Sequence, residues 1–268
     1  MANNTSLMAG KRGLVMGVAN DRSIAWGIAR VLHKHGAEIA FTCQGPAFEK
    51  RVRPLAVEVG SKLVFPCDVG EPESQEMVFD KLQQKWGALD FIVHSLAYSD
   101  RDELNGRYVD TTLNNFIRTM HISCFSFTET ACLARPLMVG NGGSLITLTY
   151  YGSERVMPGY NVMGVAKAAL EASVRYLAAD LGPDNIRVNA LSAGPMRTLA
   201  GSVIGQARKI FNWSEVNAPL RRSVTLDQLG GAALYLLSEL SGGVTGEIHH
   251  VDAGYNIVGL PHLSSKGE

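Results

Sequence analysis

Tyr160 and Lys167 stand seven residues apart at the start of an alanine-rich stretch, Tyr160-Asn-Val-Met-Gly-Val-Ala-Lys167, that is typical of a helix. Residues at this spacing share one helical face and lie about 10 Å apart along the axis. Because helical side chains lean toward the N-terminus, Lys167 reaches back toward Tyr160, and a group the size of a ribose fits between them. The pair could therefore bind one ligand without touching each other.

A solvated position is the simplest alternative for Lys167, but its neighbours argue against it. Residues 162–170 contain no other charge and are apolar on nearly every side. An idle ammonium in such surroundings would be poorly hydrated. We therefore expect Lys167 to be functional together with Tyr160.

Short β-branched runs that alternate with helical segments must position this pair. Such alternation predicts a Rossmann-type α/β fold, a doubly wound parallel sheet of about seven strands with helices on both faces. We expect a single domain over residues 1–268, with a substrate-binding lid at about 193–222. The predicted strands are Gly13–Met16, Glu38–Thr42, Lys62–Phe65, Leu89–Val93, Ser144–Thr149, Arg187–Leu191 and Ile248–Val251.

Ligands of such sheets bind beyond the carboxyl ends of the strands, and the first strand ends in a turn suited to a dinucleotide. Gly17 allows close backbone approach to a phosphate, Ser23 is a good N-cap, and Gly27 is small enough for close helix–sheet packing. The N-terminus of the following helix, at Ile24, would face the pyrophosphate. A capped helix after a turn remains the alternative.

The second and third strands supply candidates for binding the adenosine half of a dinucleotide. Gln44 follows the second strand, where an acidic residue would bind ribose hydroxyls and an arginine would bind a 2′-phosphate. Its amide offers a phosphate no charge, so NADH is favoured over NADPH, although Lys50 and Arg51 keep NADPH open. Asp68, followed by Val69, could accept from the adenine amino group or cap a helix, and the two roles could coexist.

Together these residues resemble the bacterial NADH-dependent enoyl-acyl-carrier-protein reductases of the FabI type, a divergent branch of the short-chain dehydrogenase/reductase family. The ordinary pattern of that larger family has a lysine four residues after the tyrosine, where this chain has Gly164. The resemblance covers about residues 10 to 258. It rests on the Gly17–Gly27 loop, His94-Ser95-Leu96-Ala97, the Tyr150, Tyr160 and Lys167 set, Ser192–Ala200, and His250-Val251-Asp252.

The resemblance implies reduction of the trans-2 double bond of an enoyl thioester in fatty acid biosynthesis, with NADH as the hydride donor. Tyr160 would donate a hydrogen bond to the thioester oxygen as enolate charge develops there, and Lys167 would bind the nicotinamide ribose. Tyr150 matches the second active-site tyrosine of the family, and Ser99 would contact substrate. The implied cofactor contacts are Gly17, Ser23, Ile24, Gln44, Asp68, Val69, Leu96, Lys167, Met196, Arg197, Thr198, Leu199 and Ala200.

The predicted lid also carries a basic patch, defined as Arg197, Arg208, Lys209, Arg221 and Arg222, against Glu215 as its only acid. Part of it could dock the acidic acyl carrier protein, while Met196, Leu199, Val203, Ile204 and Phe211 line an acyl pocket. A solvated or intersubunit face is the alternative. By family analogy we expect a homotetramer.

Composition excludes several other functions. Lys plus Arg and Asp plus Glu balance at 25 each, which gives no global attraction to nucleic acid or to anionic membrane. The four cysteines show no metal-ligand spacing, and Met1 to Gly13 lacks an apolar core, so we expect an unprocessed cytoplasmic protein with buried free thiols.

Two alternative functions remain: a carbonyl-reducing short-chain dehydrogenase, and a non-catalytic NAD-sensing protein of the same fold.

Overall fold

One parallel sheet organises the chain in a computed structural model, which describes residues 6–71, 73–198 and 207–261. Seven strands lie in the order β3-β2-β1-β4-β5-β6-β7, which confirms the predicted Rossmann-type sheet. The strand order reverses between β1 and β4, the point at which such sheets bind ligands. The strands are β1 Arg12–Met16, β2 Glu38–Cys43, β3 Val64–Pro66, β4 Phe91–His94, β5 Gly143–Thr149, β6 Ile186–Ala193 and β7 Ile248–Val251.

Helices cover both faces of the sheet because successive strand residues point to opposite sides. In β1, Val15 belongs to the apolar layer under α1, α2 and α9, whereas Leu14 and Met16 belong to the layer under α3, α6 and α7. The helices are α1 Ile24–Lys34, α2 Gly45–Glu58, α3 Ser74–Trp86, α4 Arg101–Leu104, α5 Leu113–Met120, α6 Ser126–Met138, α7 Val162–Leu181, α8 Ala207–Asn217 and α9 Leu226–Leu237.

Two strands begin later than predicted, since apolar residues also continue into the loops before them. The fourth was predicted from Leu89, but the Leu89 N–H bonds to the Leu137 carbonyl at the end of α6, 2.9 Å away, and β4 begins at Phe91. The third was predicted from Lys62 and begins at Val64. Hydrophobicity thus located every strand, but it did not locate the first residue of β3 or of β4.

Gly27 has a different neighbour from the one expected of it. A Cβ there would lie 2.7 Å from the Cβ of Leu226 in α9, so the glycine permits close helix–helix packing rather than helix–sheet packing. Gly230 lies opposite, where a Cβ would lie 3.0 Å from the Gly27 carbonyl. The small residue at position 27 correctly indicated close packing, but the local sequence could not identify α9 as the packing partner.

All four cysteines were expected to be buried free thiols. Cys43, Cys67 and Cys124 are buried and free, whereas the free Cys132 is exposed on α6, contrary to the expectation for all four. In the described part of the chain, no helix combines the length and apolar character needed to cross a membrane.

The predicted lid, residues 193–222, contains the end of β6, the α8 helix and the turn after it. Residues 199–206 of this stretch lie outside the described residues, and with them the predicted Val203 and Ile204 pocket positions. In α8, the Trp213 ring packs edge-to-face on Tyr255, with ring centroids 5.4 Å apart. This contact anchors α8 beside the carboxyl end of the sheet.

Candidate active site

Two tyrosines meet just beyond the carboxyl end of β5. Tyr150 follows the strand directly, and its ring packs edge-to-face on that of Tyr160, with centroids 5.1 Å apart. Gly152 makes this possible because a Cβ there would lie 2.4 Å from the Tyr160 ring. The structure therefore brings together the two tyrosines that the sequence singled out, ten residues apart along the chain.

Gly164, four residues after Tyr160, lies against the same turn. A Cβ on Gly164 would lie 2.7 Å from the Gly152 carbonyl oxygen, a backbone atom that cannot turn aside. No side chain, and so no lysine, fits at this position while α7 packs on residues 151–153. The turn that supports Tyr160 thus excludes a lysine four residues after it.

Lys167 is buried among the core residues between α7 and β5, with 5% of its surface exposed. Its ammonium donates to the Leu148 carbonyl at 2.8 Å, and the described residues offer its other two N–H groups no partner. Burial lowers the pKa of Lys167 from 10.5 to about 8, although Cys124 and Glu171 oppose that fall. Lys167 is therefore largely protonated at pH 7 and retains two donors for a ligand.

The two tyrosines are held in their neutral, donating form. Burial raises the pKa of Tyr160 well above its usual value of 10, and the negative charge of Glu171 raises it further. Burial likewise raises the pKa of Tyr150, whose hydroxyl also interacts with Tyr255. Among the described residues the Tyr160 hydroxyl has no hydrogen-bond partner, so its proton is available to an acceptor.

The turn after β1 has the geometry of an anion site, although Ser23 acts differently from the prediction. Gly17 has a φ of +94°, and a Cβ there would meet the Ser95 carbonyl at 2.0 Å. Ser23 occupies the N-cap position of α1 without capping it: its hydroxyl accepts from the Ala19 and Asn20 N–H groups, at 3.0 and 3.1 Å.

The first N–H groups of α1 are consequently left open to a ligand. The N–H groups of residues 26 and 27 bond to the Ser23 carbonyl, whereas those of Ile24 and Ala25 have no partner among the described residues. Unpaired N–H groups and the positive end of the helix dipole suit a phosphate at this point. The residues present thus fit the pyrophosphate of a dinucleotide.

Gln44 and Asp68 are brought together at the ends of β2 and β3. The Gln44 amide donates to one Asp68 carboxylate oxygen at 2.7 Å, and the other oxygen accepts from the Gly70 N–H at 2.9 Å. Asp68 caps no helix, contrary to one suggestion from the sequence, because α3 begins only at Ser74 with Glu73 as its N-cap. Val69 beside it is buried.

The remaining predicted contacts divide between the described and the undescribed parts of the chain. Ser99 is buried and its hydroxyl bonds with the Asn115 side chain at 3.2 to 3.3 Å. Leu96 follows β4 and packs on the core. Met196 is half-buried, Arg197 is exposed and Thr198 is half-buried in the turn after β6, while Leu199 and Ala200 lie outside the described residues.

Two residues of the site carried no motif in the sequence. The Tyr255 hydroxyl interacts with Tyr150, and its ring also packs edge-to-face on Tyr151 at 5.9 Å. Asn161, with a φ of +40°, donates from its amide to the Glu103, Leu104 and Gly106 carbonyls at 2.8 to 3.1 Å. Proximity in sequence to Tyr160 was the only available signal for Asn161, and Tyr255 had none.

A hollow of about 340 Å³ lies beside these aromatic residues, on the side of α8. Tyr151, Trp213 and Tyr255 contribute to its wall, together with residues 256–259. Open space therefore lies against Tyr255, the residue that interacts with the Tyr150 hydroxyl.

Comparison with known proteins gives one consistent result. Residues 17–256 match the family described as enoyl-(acyl carrier protein) reductase. The chain is 62% identical over 259 residues to enoyl-[acyl-carrier-protein] reductase [NADH] 2 of Rhizobium meliloti, covering 97% of this chain and 96% of that protein.

Solved structures agree in fold with the described residues. FabI from Candidatus Liberibacter asiaticus superposes with a TM-score of 0.93 at 57% identity, covering 96% of this chain and 99% of that one. The enoyl-(acyl-carrier-protein) reductase of Anaplasma phagocytophilum, solved in complex with NAD, has a TM-score of 0.93 at 59% identity, covering 96% and 98%.

Proposed function

Because this chain belongs to the enoyl-(acyl carrier protein) reductase family, we propose that it reduces the trans-2 double bond of enoyl thioesters with NADH in fatty acid biosynthesis. The observation that carries this proposal is the separation of a neutral tyrosine from a buried lysine. Tyr160 keeps its proton and its hydroxyl has no described partner, whereas Lys167 lies three residues beyond the i+4 position. Such a pair donates hydrogen bonds to two different parts of a ternary complex.

Each catalytic residue then has one task. NADH, when bound, supplies the hydride that adds to C3 of the enoyl group. Tyr160 donates to the thioester oxygen, where negative charge develops, an effect worth about 3 kcal/mol when a single donor is removed from comparable sites. Tyr150 packs on Tyr160 and orients its ring, and Lys167 donates to the nicotinamide ribose hydroxyls while adding positive potential.

The cofactor sites follow from the groups left open at the strand ends. Ile24 lies at the exposed N–H groups of α1, while Gly17 and Ser23 shape the turn that presents them. Gln44 and Asp68 would bind the adenosine half of the cofactor. The Asp68 carboxylate would repel a 2′-phosphate, which favours NADH over NADPH. Val69, Leu96 and the segment of residues 196–200 would complete the nucleotide and nicotinamide contacts.

One assay tests the main proposal directly. NADH absorbance is followed with a trans-2-enoyl thioester and, separately, with a 3-oxoacyl thioester as substrate. The proposal requires oxidation of NADH with the enoyl thioester and little with the oxoacyl thioester. Activity only with the oxoacyl thioester would favour a carbonyl reductase, and NADH binding without any turnover would favour an NAD sensor.

We also propose that residues 193–222 form the substrate-binding lid and that its basic patch docks the acyl carrier protein. In the described part of the patch, Arg208 and Lys209 are exposed in the first turn of α8. Reversing both charges should raise KM for carrier-bound substrate several-fold and leave short soluble thioesters unaffected. Lys85→Glu, at an exposed position on α3, is the control, and unchanged turnover of carrier-bound substrate in the double variant would contradict docking.

A homotetramer in the cytoplasm completes the proposal. Apolar side chains are exposed on the outer faces of two packed helices: Leu113 and Ile117 on α5, and Val165 and Tyr176 on α7. Such a patch favours burial against another copy of the chain. Light scattering of the purified protein measures the assembly, and four free cysteines support a reducing compartment.

A further inference from the structure

Glu171 is a buried carboxylate that none of the proposed catalytic steps uses. It lies one helical turn after Lys167 on α7, and 7% of its surface is exposed. Burying a carboxylate is costly unless hydrogen bonds replace its water. Two hydroxyls do so here: one Glu171 oxygen accepts from Thr149 at 2.6 Å and from Ser153 at 2.5 Å.

The two donors, Thr149 and Ser153, lie on either side of Tyr150 in the sequence. Thr149 is the last residue of β5, and Ser153 ends the short turn of residues 151–153 on which Tyr160 packs. One carboxylate oxygen therefore joins both ends of a five-residue segment of which Tyr150 is the second residue. Lys167 binds the Leu148 carbonyl from the preceding helical turn, so two successive turns of α7 attach to the end of β5.

Glu171 is also the formal charge that faces Lys167. In the described part of the chain, the other titratable groups around this ammonium are His94 from β4 and Cys124 from the π-helical turn of residues 121–125. Burial and Lys167 lower the pKa of His94 to about 3, so its ring is neutral at pH 7. Burial raises the pKa of the Cys124 thiol, which stays protonated, and Tyr160 is neutral as well.

We propose that Glu171 is a positioning residue for both halves of the site: it fixes the Tyr150 segment through Thr149 and Ser153, and its negative charge balances the Lys167 ammonium. The proposal rests on the function given above. Glu171 contacts neither substrate nor cofactor in this scheme. Its effects reach the reaction through Tyr150, Tyr160 and Lys167.

Glu171→Gln tests the charge of Glu171 while nearly preserving the shape of its side chain. The amide keeps the length of the side chain and one accepting oxygen but removes the charge that opposes deprotonation of Lys167. In the wild-type protein, affinity for NADH should fall as the pH rises through about 8, the pKa of Lys167. In Glu171→Gln this fall should begin about one pH unit lower, the smaller end of the effect of a nearby opposite charge.

Ser153→Ala tests the positioning of the Tyr150 segment without replacing Glu171. It leaves Glu171 in place but releases one end of the Tyr150 segment, so kcat should fall about tenfold with no change in the pH dependence of NADH binding. Asp180→Asn, which removes an exposed carboxylate from the same helix, should alter neither quantity. NADH fluorescence titrations from pH 6 to 9.5 and steady-state kinetics measure both effects, and circular dichroism verifies that each variant is folded.

A wild-type pH profile in folded Glu171→Gln would overturn the electrostatic half of the proposal, and an unchanged kcat in Ser153→Ala would overturn the positioning half. If Glu171→Gln does not fold, Thr149→Val provides the second test of positioning and should also lower kcat. The binding profile needs no turnover. Failure of the wild-type protein to reduce an enoyl thioester would therefore refute the proposed function while leaving the effect of Glu171 on Lys167 to be judged separately.

Discussion

Burying Lys167 makes the folded protein less stable than it would be with an apolar residue of the same length. The fall in pKa from 10.5 to about 8 corresponds to about 3 kcal/mol at pH 7, at roughly 1.4 kcal/mol for each pH unit. This residue is buried, so water does not screen the effect. Lys167→Met removes the charge but also the donor to the Leu148 carbonyl, a loss of about 1 kcal/mol.

We therefore expect Lys167→Met to be about 2 kcal/mol more stable than the wild-type protein at pH 7, and inactive. For a chain of this size that difference raises the thermal midpoint by about 5 °C. NADH should raise the midpoint of the wild-type protein and not that of the variant, because a ligand stabilises only the state that it binds. Differential scanning fluorimetry without and with NADH measures both.

The pH dependence gives the same reasoning a second test. Between pH 8 and 10.5 the unfolded lysine is protonated and the folded one is not, so the contribution of Lys167 to the free energy of unfolding rises with pH in this range. The deficit of the wild-type protein relative to Lys167→Met should shrink accordingly and be fully present only below pH 8. Lys85→Met, at an exposed site on α3, is the control and should change stability by less than about 0.5 kcal/mol. A lower midpoint for Lys167→Met than for wild type at pH 7 would refute the argument.

Three further variants test other parts of the site. Tyr160→Phe should lower kcat about 10²-fold to 10³-fold with little effect on the Kd of NADH, measured by kinetics and fluorescence titration, and an unchanged kcat would remove Tyr160 from the mechanism. Gly164→Ala should cost about 1 to 3 kcal/mol in urea unfolding and lower kcat, whereas Gly182→Ala, with open space around its Cβ, should cost nothing. Ser23→Ala releases two N–H groups of the pyrophosphate turn and should weaken NADH binding about fivefold, the equivalent of about 1 kcal/mol; equal affinity would show that the turn needs no such support.

Much of the fold could be predicted because parallel strands with both faces covered are written as short apolar runs. All seven predicted strands exist, and they form one parallel sheet. The exact starts of β3 and β4 could not be predicted, since Leu89 is as apolar as a strand residue yet bonds to the end of α6. The partner of Gly27 was equally hidden, because α9 lies about 200 residues further along the chain.

The candidate site was predictable where a short stretch of sequence carries the geometry and unpredictable where distant segments meet. Tyr160 and Lys167 are joined by one helix, so their spacing fixes their relation. The interaction of Tyr255 with Tyr150 joins the end of β5 to the segment after β7, and no local pattern indicates it. The hydrogen bonds of the Ser23 hydroxyl depend on its side-chain rotamer. Residue type alone could not predict that this hydroxyl accepts from N–H groups of the preceding loop rather than from those of α1.

In the proposed mechanism, Gly164 explains why Tyr160 would donate a proton in a hydrogen bond rather than lose it. The turn at Gly152 supports the Tyr160 ring and at the same time closes the i+4 position to any side chain. Lys167 lies about one helical turn further on, and among the described residues no ammonium contacts the Tyr160 hydroxyl to lower its pKa. The charge that does act on Tyr160 is Glu171, which raises its pKa instead. The packing that positions the tyrosine thereby also keeps it protonated, the state required for stabilising an enolate oxygen.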